Sequence, residues 1–234
     1  MDELWTCRLG TVGYREAHDL QERLREARAA ELIPDVLLLL EHPPVYTRTR
    51  RTAPSELPMS EDWYAARGIE IVDTDRGGKL TYHGPGQLVG YPIARIGHAL
   101  PFVRSLERAI VAALRDQGVP AHARADESAE FVGAWVEDRK IASIGIRVKR
   151  GVTKHGLAIN VVNDLAPFGW AVACGLPDVT MTSVEREAAS LRRDPVGCLA
   201  KDLGHRLAQA MGLRQRLVSP ARLHAAIGDS SIAA

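Results

Sequence analysis

The order of apolar and polar positions divides the chain into short, distinct elements. Leu4 to Val12 alternates in a strand-like way. Residues 14–31 place Ala17, Leu20, Leu24 and Ala27 on one face at steps of three and four, the spacing of an amphipathic helix. Asp35-Val36-Leu37-Leu38-Leu39-Leu40 is a continuous apolar run, as expected of a strand covered on both faces. It stops at Glu41-His42-Pro43-Pro44, where two prolines end strand pairing. Residues 48–58, broken by arginine and proline, read as a surface loop. Ser60 is placed to cap a short helix ending at Gly68. Ile69 to Val72 predicts a short strand, and a glycine-rich stretch from Arg76 to Gln87 leads into another from Leu88 to Ile93.

The strongest helical pattern covers 101–117, with Val103, Leu106, Ile110, Ala113 and Leu114 as its apolar stripe and Gly118 just past its end. Phe131 to Val136, Lys140 to Val148 and Thr153 to Val161 predict three strands. The turns between them, at Asp138-Arg139 and Lys149-Arg150-Gly151, are too short for anything but an antiparallel meander. Asp194-Pro195 and Ser219-Pro220 each join a capping side chain to a proline at the first helical position, so two helices close the chain. Val196, Leu199, Leu203, Leu207 and Ala210 line one face of the first. Central strands with helices at both ends predict an α+β sandwich of sheet and helices. No repeat or low-complexity segment interrupts it, and residues 1–228 are expected to form a single domain with a frayed tail at 229–234.

Composition narrows the function classes. A chain that is 46% hydrophobic and 25% charged is neither disordered, nor collagen, nor coiled coil. Aromatics at 5% leave the core to Leu, Val, Ile and Ala. With 30 basic and 29 acidic side chains the net charge is +1, so no global field steers the protein to nucleic acid or to an anionic membrane. Arg48, Arg50, Arg51, Lys149, Arg150 and Lys154 form either a local basic surface or a scatter of solvated side chains. Cys7, Cys174 and Cys198 include no CxxC, which argues against a disulfide scaffold or a structural zinc site. The start Met1-Asp2-Glu3-Leu4-Trp5 lacks the basic and apolar runs of a signal peptide, and the run Val36 to Leu40 is too short to cross a bilayer. A cytoplasmic location is the expectation.

The stretch Asp75 to Gln87 is the least ordinary part of the chain. Its four glycines leave backbone amides open to a ligand, with Arg76 placed for a carboxylate or phosphate and His83 for a carbonyl. No Lys-Ser or Lys-Thr follows, so it is not a P-loop. The alternative is a tight turn rich in glycine for steric reasons. Cys174 lies in an unpatterned loop, Ala173 to Pro177, and is either an inert thiol or a nucleophile. Cys7 and Cys198 read as small hydrophobes. Lys140 at a strand start is a solvated end residue or a cation aimed into a site. Gly156 marks a bulge or a close backbone approach, and His155 beside it is a ligand or simply hydrogen-bonded. No ligand spacing supports a metal at His83, His155 and Cys174, and none is expected.

At these residues the chain resembles the lipoyl(octanoyl) transferases, also called lipoate-protein ligase B. The resemblance begins at Leu9-Gly10 with Tyr14 and continues through Glu41 to Thr47. It is densest from Arg76 to Gln87, resumes at Gly133 to Val136, Arg139 to Arg147 and His155 to Asn160, and closes at Cys174-Gly175-Leu176 with Thr182-Ser183. It implies the biotin/lipoate protein ligase fold, a mixed and largely antiparallel sheet packed against helices. It places the acyl-accepting cysteine on Cys174 and the lysine that tunes it on Lys140. Arg76, Gly77, Gly78, Lys79, Leu80, Thr81, Tyr82 and His83, with Ser143, Ile144, Gly145, Gly156, Leu157 and Ala158, would line the substrate site. Thr49, Ala173 and Lys154 depart from the family pattern without removing a reacting group.

The reaction implied is transfer of octanoyl from the phosphopantetheine thioester of acyl carrier protein to a lysine amine. The acceptors are lipoyl domains of 2-oxoacid dehydrogenases and the glycine cleavage H protein. No cofactor is needed, because the thioester already carries the activation. No nucleic acid or membrane partner is implied, and a monomer is expected. Backbone amides near Gly77, Gly78 and Gly145 are candidate donors to the tetrahedral oxyanion. Two alternatives are an ATP-dependent lipoate or biotin ligase, which has no use for a nucleophilic thiol, and a non-catalytic acyl-carrier-binding module.

Overall fold

In the computed structural model, which describes residues 2–124, 127, 131–171 and 179–228, the apolar run is strand β2, Asp35–Glu41. It is buried because helices cover both faces of its sheet. Leu37 and Leu39 enter one apolar layer and Val36, Leu38 and Leu40 the other, so period-two alternation feeds two cores. The first layer is completed by α3 (Ala99–Asp116) and α5 (Pro195–Met211), through Leu106, Ile110, Leu199 and Leu203. The second is completed by α1 (Tyr14–Ala29) and α6 (Pro220–Ala226), through Leu20, Leu24 and Leu223.

This sheet has seven strands in the order β10-β1-β2-β6-β9-β8-β7. β6 (Gln87–Ile93), β9 (Val152–Asn160), β8 (Arg139–Lys149) and β7 (Gly133–Val136) pair antiparallel in succession from β2. β1 (Glu3–Thr11) and β10 (Arg214–Leu217) extend the other side in parallel. The expected meander is β7-β8-β9.

A second sheet, order β4-β3-β5, joins β4 (Glu70–Asp73), β3 (Val45–Arg48) and β5 (Thr81–His83). The short helix α2 (Glu61–Ala65) and a tight 3-10 turn at Ala166–Trp170 cover it. Tyr46 donates to the Pro167 carbonyl and Tyr64 to that of Trp170. The caps form as the sequence requires: Ser60 accepts from the Trp63 amide, Asp194 from Gly197 and Ser219 from Arg222. β3, β5, β10 and the single helical turn α4 (Val184–Glu187) are elements the periodicity did not show. The tail at 229–234 lies outside the described residues.

Candidate active site

Between the two sheets lies a cavity of about 450 Å³, within the usual range for small-molecule sites. Its floor is the middle of β8 and β9, with Ser143, Ile144, Gly145, Gly156, Leu157 and Ala158. One wall is the chain leaving β4, with Arg76, Gly77, Gly78, Lys79, Thr81 and His83. Ala99, Leu100 and Val103, from the start of α3, supply apolar surface opposite. Tyr14, Tyr91, Arg51, Val132, Ile146 and His155 complete the lining.

Glycines let these pieces approach. A Cβ on Gly145 would sit 2.6 Å from the Gly77 carbonyl oxygen, so the loop can cross β8 only above a glycine. The Gly77 amide donates to the Ile146 carbonyl at 3.0 Å and fixes that crossing. This removes Gly77 from the set of oxyanion donors, and the pairing of Gly145 with Gly156 commits the Gly145 amide to the β8–β9 ladder, which leaves Gly78. A Cβ on Gly156 would meet the Gly90 oxygen at 2.1 Å, the close backbone approach expected there.

Arg76 lines the cavity and is tied to its wall. Its Nε and Nη2 reach Thr47, at 3.0 Å to the hydroxyl and 2.7 Å to the carbonyl, and Nη1 reaches the Gly77 carbonyl at 3.0 Å. The guanidinium thus holds the loop to β3 while it lines the cavity. Thr49, one of the departures from the family pattern, takes part: its hydroxyl donates to the Gly78 carbonyl at 2.9 Å. Leu80 and Tyr82 do not line the cavity. Strand alternation turns them into the tyrosine-rich core of the small sheet with Tyr46 and Tyr64, while Thr81 and His83 face the site.

Lys140 is 2% exposed and lines the cavity, so it is not a solvated strand end. Its ammonium lies 5.0 Å from the Trp135 ring centroid, a cation–π contact. The Lys140 amide donates to the Thr180 carbonyl and its carbonyl accepts from the Thr182 amide, both at 2.9 Å. Cys174 and Ala173 lie outside the described residues.

His42, His83 and His155 are held neutral by burial. His42 Nδ1 donates to the Val12 carbonyl at 2.6 Å, and its Nε2 accepts from the Tyr91 hydroxyl at 2.8 Å. Burial pushes this ring down to about 4 and His83 to about 3. His155 adopts a left-handed backbone, φ 58°, a conformation that costs a side-chain-bearing residue about 1 kcal/mol or more. Its amide donates to Gln21 Oε1 at 2.7 Å and its Nε2 to Asp75 at 2.8 Å. The hydrogen bond from His155, reinforced by Lys154, holds the Asp75 carboxyl well below the usual carboxylate range. His155 is therefore hydrogen-bonded rather than a ligand.

His18, Asp75 and His155 bring their ligand atoms within 4.8 Å of one another, the geometry of a metal site. The ammonium of Lys154 lies among them, 3.1 Å from Asp75 Oδ1 and 3.3 Å from His18 Nε2, with Glu22 Oε2 also at 3.3 Å. A fixed cation thus stands where an ion would. The same contacts favour scattered, individually paired side chains over a continuous basic surface at three of the six positions. Lys154 and Lys149 pair with Glu22, and Arg48 pairs with Asp73 at 2.6 Å and Glu61 at 2.8 Å. Three of its cations are answered by carboxylates distant in sequence.

The family model for the lipoyl protein ligase A/B catalytic domain matches residues 13–207. This chain belongs to that family. An octanoyltransferase of Corynebacterium efficiens is 43% identical over 195 residues, covering 80% of this chain and 74% of its own. One from Dictyoglomus thermophilum is 44% identical over 177 residues, covering 76% and 75%. Among solved structures, a bi-partite lipoate protein ligase from Thermoplasma acidophilum superposes with a TM-score of 0.74 at 16% identity, covering 97% of this chain and 91% of that one. That likeness establishes the fold, the lipoate ligase arrangement of a mixed, largely antiparallel sheet with helices. Across the described residues, no helix is long and apolar enough to cross a membrane.

Proposed function

We propose that this chain moves an octanoyl group from the phosphopantetheine thioester of acyl carrier protein to a lysine amine of a lipoyl domain, through a thioester on Cys174. Octanoyl transfer is the activity named for relatives that share over two-fifths of their aligned residues with it. The lipoyl acceptor accords with the archaeal ligase, whose structure was determined as part of a lipoylation system with its E2 lipoyl domain. The carrier donor and the covalent route rest on chemistry.

The observation that carries the reading is Lys140: a buried ammonium opening on an apolar-walled cavity and bonded through its own backbone to Thr180 and Thr182. Thr180 follows Cys174 by six residues, a reach of at most about 20 Å of extended chain. A cysteine of ordinary pKa, about 8.5, is only a few per cent thiolate at neutral pH. A cation about 4 Å away is worth roughly 4 kcal/mol at an effective dielectric of 20, enough after desolvation losses to make the thiolate the main form.

In the first half-reaction the Cys174 sulfur attacks the carrier thioester, a C–S bond forms, and the pantetheine sulfur leaves with its electron pair and takes up a proton. Thioester exchange is nearly balanced. In the second, the amine attacks, a C–N bond forms, and the Cys174 sulfur departs, a downhill step to an amide. The Gly78 amide is the candidate for the oxyanion. The octanoyl chain has Val103, Ile144 and Leu157 to lie against, worth about 0.8 kcal/mol per methylene buried. Chain-length preference is therefore real but leaky.

The test is transfer from octanoyl-acyl carrier protein to a lipoyl domain, with and without ATP. Wild-type activity without ATP, abolished in Cys174→Ala and retained in Cys7→Ala and Cys198→Ala, is the expected result. Substantial transfer by a folded Cys174→Ala protein, or a strict need for ATP, overturns the reading.

A further inference from the structure

A row of hydrogen bonds through the large sheet decides which nitrogen of His83 carries its proton. A carbonyl oxygen only accepts, so the Asn160 atom 3.0 Å from the Thr182 oxygen is Nδ2. Asn160 Oδ1 then faces Gln87 and accepts from its Nε2 at 2.9 Å, and from Asn163 Nδ2 at 3.2 Å. Gln87 Nε2 also donates to the Tyr82 carbonyl at 3.2 Å. With that end fixed, Gln87 Oε1 lies 2.7 Å from His83 Nδ1. An amide oxygen cannot donate, so Nδ1 bears the hydrogen. In a neutral imidazole the other nitrogen is then a bare acceptor. Burial first, and the neighbouring His42 next, keep the ring neutral at working pH. Nε2 has no partner among the described residues, and His83 lines the cavity.

An acceptor on this wall selects donors. Of the groups that meet at the reacting carbon, the octanoyl chain and the thioester carbonyl carry no N–H or O–H, and a thiolate carries no proton. The lysine amine does. We propose that His83 is a catalytic residue of the second half-reaction, its Nε2 accepting one N–H of the incoming amine so that the nitrogen lone pair faces the octanoyl thioester, with Gln87 and Asn160 as positioning residues that hold the required tautomer. The proposal rests on the octanoyl-transfer reading above. His83 keeps no proton: the amine nitrogen gives its pair to the carbonyl carbon, the C–S bond breaks toward sulfur, and the surplus N–H proton passes to Lys140, left neutral once it has protonated the departing pantetheine sulfur, so that Cys174 leaves as the thiolate.

The experiment has two readouts. Long-range proton–nitrogen correlation on the histidine-labelled full chain reports the tautomer, with the His83 signals assigned by their loss in His83→Asn. The expected pattern is a protonated Nδ1 and a bare Nε2, relaxing toward the Nε2–H form in Gln87→Leu. Single-turnover mass spectrometry then follows acylation by octanoyl-acyl carrier protein separately from transfer to a lipoyl domain. His83→Asn keeps an N–H for Gln87 in the place of Nδ1, but its shorter side chain has no acceptor at the Nε2 position. Its transfer step is expected to slow about 100-fold, well beyond any loss in acylation, so that octanoyl-enzyme accumulates. An Nε2–H ring in the wild type, equal slowing of both steps, or no slowing overturns the proposal. If the wild type forms no octanoyl-enzyme, the functional reading fails instead, while the tautomer is still measured.

Discussion

The amide of Thr182 donates to the carbonyl oxygen of Lys140 at 2.9 Å, while the Thr182 carbonyl accepts from Asn160. The chain that follows Cys174 is thereby registered against the residue whose side chain enters the cavity, so substitutions at Lys140 read the chemistry of its ammonium separately from that backbone tie.

Lys140→Arg keeps the positive charge but cannot release a proton near neutral pH. The thiol is expected to stay reactive toward an alkylating agent at pH 6 to 7 and to form the acyl-enzyme, whereas release to the lipoyl domain slows and the intermediate builds up in a mass spectrum. Lys140→Ala is expected to lose both steps, with alkylation shifting to higher pH. Unchanged thiol reactivity in the alanine variant would show that Lys140 does not tune the cysteine.

Stability is expected to fall in mild acid. An unfolded histidine protonates near pH 6.5, but the buried rings of His42 and His83 resist until about 4 and 3. Between those limits the unfolded chain binds more protons than the folded one. The stabilisation is complete above about pH 6.5 and drains as pH falls, by about 1.4 kcal/mol per pH unit for each ring. Below about pH 4, Glu22, held down to about 2 by Arg25, adds to the same trend. Urea midpoints from pH 7.5 to 5 measure it, and His42→Gln is expected to remove about half of the slope. A flat profile would sink the argument.

Two glycines separate stability from activity. In Gly156→Ala the new methyl meets the Gly90 oxygen at 2.1 Å and Pro92 Cδ at 2.5 Å, so two paired strands must part. A loss of about 3 kcal/mol or more is expected in urea unfolding. In Gly145→Ala the obstruction is the Gly77 oxygen, which belongs to a loop that can lift. There the cost is expected to be nearer 1 kcal/mol, with most transfer activity lost. Equal stability losses would contradict this division.

Lys154→Ala is expected to create a metal site. Without the ammonium, His18, Asp75 and His155 face one another with three ligand atoms and no cation between them. Cobalt titration should give a visible absorption band in the variant, absent in the wild type and abolished by adding His155→Ala. A band of equal strength in the wild type would show that Lys154 does not fill the site.

What the chain discloses locally, the sequence shows well. Helices with a long apolar stripe, such as α3, or with a stripe and a side-chain cap, such as α5, need no distant partner to be recognised. β3, β5 and β10 are three or four residues long and exist because of what they pair with, which no local window contains. The glycine-rich motif and Lys140 were legible as chemistry, and the structure brings them to one cavity. Taking 76–83 as an unbroken lining failed at Leu80 and Tyr82, although strand alternation could have excluded both. The choice between a basic surface and scattered side chains was not legible for another reason: Glu22, Glu61, Asp73 and Asp75 reach three of those cations from other elements. The relay from Thr182 to His83 joins residues 22 and 73 positions apart, and spacing carries no sign of it.

The pairing of β1 with β10 sets an order of events. Glu3 lies opposite Arg214 and Thr6 opposite Leu217, so β1 leaves the ribosome well before the strand it pairs with. Its ion pair from Glu3 to Arg214 closes a loop of 211 residues, among the most non-local contacts a chain of this size can make. Until then one margin of β1, with Leu4 and Trp5 beside it, is an open edge able to pair with other chains. A frameshift shortly before residue 214 would therefore be felt at β1, as aggregation of nascent protein rather than as damage to the cavity.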